Sequence, residues 1–126
     1  MIIKSMKAVG MHHHGNRSLI IDAVYQVKRE PENPYDRKAC AIVDGNRTVA
    51  YLDRRSARLI AEIADQSIIS GPIYLKPKHP LDVKSQREGP YHFCNVGFKI
   101  HSHHIDSLQS ITKHSPYIVS MTRSSR

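Results

Sequence analysis

The sequence has no tryptophan and only two phenylalanines, and aromatic residues make up 6% of it. A core of stacked rings is therefore excluded, and the 40% of hydrophobic residues must build an aliphatic interior. That fraction lies well above compositions too polar to fold. Cysteine is scarce as well: Cys40 and Cys94 sit inside apolar runs, ACAIV and HFCNVGF, and not in a spaced framework. They read as reduced core residues, which sets aside a disulfide scaffold or a cysteine metal site. No apolar run approaches the roughly 18 residues needed to cross a bilayer, and Met1-Ile2-Ile3-Lys4 is too short for a signal peptide. The expectation is a soluble intracellular chain, in the cytoplasm or in a eukaryotic nucleus, with no membrane partner.

Acids are few, 11 against 19 Lys plus Arg. They are scattered singly, whereas a two-metal nuclease needs several converging on one pocket. No Gly-rich loop could cradle a nucleotide, and no Ser/His/Asp or paired-carboxylate arrangement can be located, so no catalytic activity and no cofactor are expected. The formal charge of +8 favours anionic partners, with nucleic acid first and an anionic membrane surface second, although solubility alone also accounts for a basic balance.

With 126 residues the chain has room for one domain, since single cores usually occupy about 100–150 residues. MKAVGM (6–11) reads as a first strand, followed by a loop, HHHGN. From Asp22 to Glu30 the pattern alternates, with Ala23, Tyr25 and Val27 on one face and Gln26, Lys28 and Glu30 on the other, as in a half-buried strand that Pro31 ends. KACAIV (38–43) and RTVAYL (47–52) flank Asp44-Gly45-Asn46, where Asp-Gly supplies the positive φ of a tight hairpin. In RRSARLIAEIAD (54–65) the residues Ala57, Leu59, Ile60, Ile63 and Ala64 share one helical face, opposite Arg55, Arg58, Glu62 and Asp65, and Asp53 can cap the helix. Gly71-Pro72 punctuates before a short strand, IYLK (73–76). A long exposed loop (77–90) and a strand, YHFCNVGFKI (91–100), with Phe93 or Cys94 turned to the core, complete the pattern. A short helix near 104–113 and a frayed Ser/Arg end are expected beyond it. The fold class is mostly β with one or two short helices, a small OB-like or SH3-like β-barrel over 1–101 with a C-terminal extension over 102–126.

Nine histidines invite a metal reading. His12-His13-His14 and His101-x-His103-His104 match no spaced zinc pattern, and the plainer reading is solvated loop histidines.

KREPENPYD (28–36) is the stretch that asks for chemistry. Each proline fixes its own φ, and Asn33, preceding Pro34, is steered away from the helical region, so the corner loses little entropy on ordering. Tyr35 and Asp36 leave from a rigid mount. With Lys28, Arg29, Arg37 and Lys38 around them they offer a stacking plane, an acceptor and anion-binding charge, the parts needed to hold a strand end. A Tyr that packs at a corner and an Asp that caps a turn would read the same. Arg54 and Arg55 raise a separate question, because cations in a helix's first turn meet the positive end of the macrodipole. A bound phosphate would offset that, as would an ion pair with a neighbouring acid.

The run K-R-E-P-E-N-P-Y-D, followed by K-A-C-A-I-V, the D-G-N turn, V-A-Y-L and the helix with Ala57, resembles the HIRAN domain, a module of helicase-like chromatin remodellers that also occurs as stand-alone chains. The resemblance is good over 6–65 and loose elsewhere. It implies a modified OB-type barrel that grips single-stranded DNA at a free 3′ end. On the matching positions Tyr35 would stack on the terminal base, Asp36 would accept the 3′-hydroxyl, and Asn33 would support the pocket. The family's aromatic after its Val-Gly pair, here Val9-Gly10, is replaced by His13, with His12 where a basic residue often stands. Imidazole is smaller than a phenol ring and titrates, so a weaker or pH-dependent grip is the expectation. Ala50 stands for a family glycine, and Tyr51 and Arg54 occupy positions that contact DNA elsewhere; DNA repair, the setting of the helicase-bearing relatives, comes only with the resemblance. The rival readings are an adaptor that recruits a helicase, nuclease or other effector, with DNA contact secondary, and a histidine-assisted metal nuclease.

Overall fold

The computed structural model describes residues 2–11, 18–82, 90–100 and 118–120 of the chain, the last as a strand only. The elements run β1 (Ile2–Val9), β2 (Tyr25–Arg29), β3 (Cys40–Asp44), β4 (Arg47–Leu52), α1 (Arg54–Asp65), β5 (Ile69–Pro77), β6 (Tyr91–Ile100) and β7 (Ile118–Ser120). The sheet order is β4-β3-β2-β5-β6-β1-β7, and β1 pairs back onto β4. All pairings are antiparallel, so β1 to β6 form a closed barrel. The expected OB-like β-barrel with a short helix is the architecture found. Closure leaves no free sheet edge among these six strands, which is how a small β-domain avoids templating aggregation.

Alternation builds the interior. In β2 the side chains of Tyr25 and Val27 are buried while Lys28 is exposed. In β6 His92, Cys94, Val96 and Phe98 alternate as buried residues, with Tyr91 buried at the start, so Cys94 and not Phe93 is the inward residue. Helix α1 starts where Asp53 Oδ1 accepts the Ser56 N–H at 3.1 Å, an N-cap that satisfies one orphan donor. It is clamped to β1, because the Asp53 N–H donates to the Lys7 carbonyl at 2.9 Å and buried Ser56 offers its Oγ to the Lys7 N–H at 3.4 Å. Its apolar face joins the core through Ala57, Leu59, Ile60 and Ile63. Ser56 and Ala61 are buried with them, whereas Ala64 is only half-buried. Fully buried Ile60 and Ile63 each contribute on the order of 2 kcal/mol by burial.

Four local expectations change. Strand β1 begins at Ile2, earlier than 6–11, because a bulge between Ile3 and Met6, with Ser5 at φ 67°, keeps both ends in register with β6. In the β3–β4 hairpin Asp44 pairs with Arg47, so the loop is Gly45-Asn46 and positive φ falls on Gly45 alone. That is the glycine-first geometry of a two-residue turn. Gly71-Pro72 does not delay β5: the strand runs through it with a register shift between Ser70 and Tyr74 and Gly71 at φ 92°, a bulge that a glycine tolerates. The C-terminal extension adds a strand, since Ile118–Ser120 pairs with Ile2–Lys4, and the Ser/Arg end after it lies outside the described residues. The helix expected near 104–113 lies outside the described residues.

Candidate nucleic-acid interface

The corner after β2 is built by one side chain. Asn33 Oδ1 accepts the backbone N–H of Tyr35 at 2.9 Å and of Asp36 at 3.2 Å, and its Nδ2 donates to Glu30 Oε1 at 3.0 Å. This is an Asx-type turn in which the amide replaces the missing backbone partners of a proline-rich segment. The Asn33 N–H closes the loop on the Glu30 carbonyl at 3.0 Å, and the Glu30 N–H continues the β2–β3 ladder to Ala39 at 2.9 Å. Tyr35 projects from this mount with 94% of its surface exposed. Nothing in the barrel interior claims its ring. Asp36 is half-buried; its Oδ1 accepts the Lys38 N–H at 2.9 Å, and its Oδ2 meets no donor among the described residues.

Tyr35 stands over an open groove of about 540 Å³ lined by Arg29, Glu30, Pro31, Glu32, Asn33, Pro34 and Tyr51. Tyr51 reaches it from β4. Cross-strand register aligns Lys28, Ala41, Tyr51 and Val9 in one row, and partners in a row share a face of the sheet. In that row Ala41 is buried, Tyr51 is half-buried and Lys28 is exposed. The Tyr51 hydroxyl donates to Glu30 Oε2 at 3.2 Å. Burial, then the bond to Glu30 and the nearness of its charge, push the Tyr51 phenol upward.

Arg29 and Lys28 diverge. The Arg29 guanidinium pairs with Asp65, at the end of α1, at 2.8 Å, and its Nε is buried without an acceptor. It braces the groove wall to the helix. Lys28 stays exposed on the outer row. The strand carrying Tyr51 leads through Leu52 and Asp53 into Arg54 and Arg55, both exposed in the first turn of a helix with no acid there. Among the described residues neither arginine has an ion-pair partner. The groove thus collects Arg29, Asn33, Tyr35 and Tyr51, while Asp36, Arg54, Arg55 and Lys28 are not in its lining. His12 and His13 lie outside the described residues; β1, which precedes them, ends at Val9 opposite Tyr51.

Glu30 was not singled out from the sequence, yet it holds both Asn33 and Tyr51. The signal was its place inside the quoted motif. Burial raises both thiols, Cys40 and Cys94, to about 12, which makes them poor nucleophiles. Among the described residues no group of three His, Cys, Asp or Glu side chains gathers as a metal site, and no helix is long and apolar enough to cross a membrane.

No family model and no curated protein sequence matches the chain. Among solved structures, the HIRAN domain of human HLTF superposes with a TM-score of 0.72 at 16% identity, over 95% of this chain and 93% of that one. A protein from Lactobacillus plantarum superposes with a TM-score of 0.51 at 15% identity, over 76% of this chain and 95% of its own.

Proposed function

From a HIRAN-like fold that presents an open aromatic groove, we propose that this chain is a non-catalytic nucleic-acid-binding module that grips single-stranded DNA at its 3′ end. The observation that carries the reading is the exposure of Tyr35 on a corner already ordered by Asn33. A large exposed ring on a mobile loop loses entropy when it binds, whereas this backbone is ordered beforehand. A base stacks on Tyr35, with Tyr51 in the groove below. Asp36 Oδ2 accepts the 3′-hydroxyl, since Oδ1 is already used by the Lys38 N–H.

Charge sorts the ligand. Glu30 and Glu32 in the groove wall repel phosphate, so the groove suits a base and a terminal sugar. Phosphates fall toward exposed Arg54 and Arg55 and the start of α1, where a cation pair with no acid partner among the described residues and the helix dipole act together. In this reading His13 is the other half of the base sandwich and His12 takes the place of a basic residue beside it. DNA repair, in the company of a helicase or nuclease, is the setting that follows from it.

Fluorescence anisotropy with oligonucleotides ending in a 3′-hydroxyl or a 3′-phosphate tests the end contact. The hydroxyl end binds tighter, and the preference disappears in Asp36→Ala. Equal affinity for both ends in the unaltered protein removes end recognition and leaves general single-strand binding.

A second reading, an adaptor, is favoured by one observation. Ile20, Ile21 and Val24 before β2 are 70%, 44% and 59% exposed, and Tyr74, opposite Gln26 on β5, is 48% exposed. Gathered into one patch, such residues would suit a protein contact. Val24→Asp and Tyr74→Ser leave oligonucleotide binding intact and abolish effector recruitment if the adaptor reading holds.

A further inference from the structure

The groove under Tyr35 contains an acceptor that is fixed in place and a donor that is unspent. Glu30, half-buried, follows directly on β2. Asn33 Nδ2 donates to its Oε1 at 3.0 Å and the Tyr51 hydroxyl to its Oε2 at 3.2 Å, so the carboxylate is held from two sides. A carboxylate oxygen can accept more than one hydrogen bond, and no further donor among the described residues reaches either oxygen. Glu32 lines the groove as well but is exposed, and a ligand that used it would first have to order it.

Arg29 lines the same groove. Its guanidinium meets Asp65 at 2.8 Å, while its Nε–H is buried with no acceptor among the described residues. Such a donor costs stability until something accepts it. A paired acceptor with a donor in one groove narrows the ligand. Phosphate offers acceptors alone and meets the charge of Glu30; an ammonium group offers donors alone and leaves Arg29 unanswered. The edge of a nucleobase offers both. Among the DNA bases, guanine has two neighbouring donors, N1–H and N2–H, beside an acceptor, O6. Adenine and cytosine bring an amino group next to a ring acceptor, and thymine brings a single N–H between two carbonyls.

We infer that Glu30 is the specificity-determining residue of this groove and selects guanine as the base stacked on Tyr35, with Arg29 as its second contact. The two Glu30 oxygens accept N1–H and N2–H, and Arg29 Nε–H donates to O6. The inference rests on the reading of the groove as a base site. It agrees with a single-stranded ligand, because the edge being read is the one that a paired base hides.

Anisotropy titrations of the unaltered protein with short oligonucleotides that differ only in the 3′-terminal base test the ligand side. Guanine should bind roughly tenfold tighter than adenine, a purine of similar stacking surface, the discrimination expected of a bidentate contact. Hypoxanthine, which keeps N1–H and O6 but lacks the amino group, should fall between the two. 1-Methylguanine, whose N1 carries no proton, should bind no better than adenine. On the protein side, Glu30→Gln keeps the size of the side chain and one acceptor, and the ratio of guanine to adenine affinity should fall toward one. If that variant does not fold, the base series on the unaltered protein decides alone. Equal affinity for guanine- and adenine-ended strands overturns the inference. So does hypoxanthine that matches guanine, or a guanine preference that survives in Glu30→Gln. Each of these results leaves strand-end binding standing, whereas failure to bind any of the strands removes the base site and the inference together.

Discussion

Tyr51 on β4 and Glu30 at the end of β2 meet across the groove, the phenol donating to the carboxylate at 3.2 Å. Burial and then this carboxylate raise the phenol above its ordinary value of 10.0. A raised phenol binds its proton more tightly in the folded state. The bond's contribution is therefore fully present below the unfolded phenol's pKa and is lost as pH rises through the folded one. Tyr51→Phe should flatten the alkaline limb of a stability profile, read by urea denaturation against pH. A limb that is unchanged in the variant removes Tyr51 as its source.

Asn33 is the keystone of the corner. Asn33→Ala removes three hydrogen bonds and hands the Tyr35 and Asp36 amides to water, costing about 0.5–1.5 kcal/mol. Chemical denaturation should show that loss, and oligonucleotide binding should weaken even though Tyr35 and Asp36 remain.

Tyr35 itself should behave in the opposite way. With the ring exposed to water, Tyr35→Ala should leave stability within about 0.5 kcal/mol and weaken single-strand binding by roughly 1–3 kcal/mol, the worth of one stacked base. A binding titration beside a thermal melt separates the two. A large loss of stability would show that the ring packs in solution.

Arg54 and Arg55 can be read from salt dependence. If each holds a phosphate, Arg54→Ala or Arg55→Ala should lower the slope of log affinity against log salt by about 0.7 per contact on single strands. Both variants should be slightly more stable without DNA, by a few tenths of a kcal/mol, because a cation leaves the positive end of α1. Unchanged slopes would place the phosphates elsewhere.

Cys40 and Cys94, buried and raised to about 12, should resist iodoacetamide near neutral pH in the folded protein and react fully in urea. Mass spectrometry counts the adducts. Rapid modification without denaturant would show that the core opens around them.

Much of the fold was legible in the chain because it is local. The alternation of Tyr25 and Val27, the glycine of the β3–β4 turn and the Asp53 cap are set by a few neighbouring residues, and all three recur in the structure. The bulges at Ser5 and Gly71 were not legible. Ser5 and Gly71 adopt positive φ because β6 imposes a register on β1 and β5, and no window of sequence contains both partners. In the candidate site the rigid corner was visible from Pro31, Asn33 and Pro34. The assignment of Arg29 was not, since its partner Asp65 comes from the far end of the helix.

The sequence by itself determined a basic, aliphatic β-domain with a stiff Tyr-Asp corner, because charge balance, periodicity and proline geometry need no distant partner. Only the tertiary structure decided which charges are spent and which are free. Glu30 and Tyr51 meet across β3, and Arg29 meets Asp65 at the far end of α1, contacts between residues distant in the chain that exist only once sheet and helix are assembled.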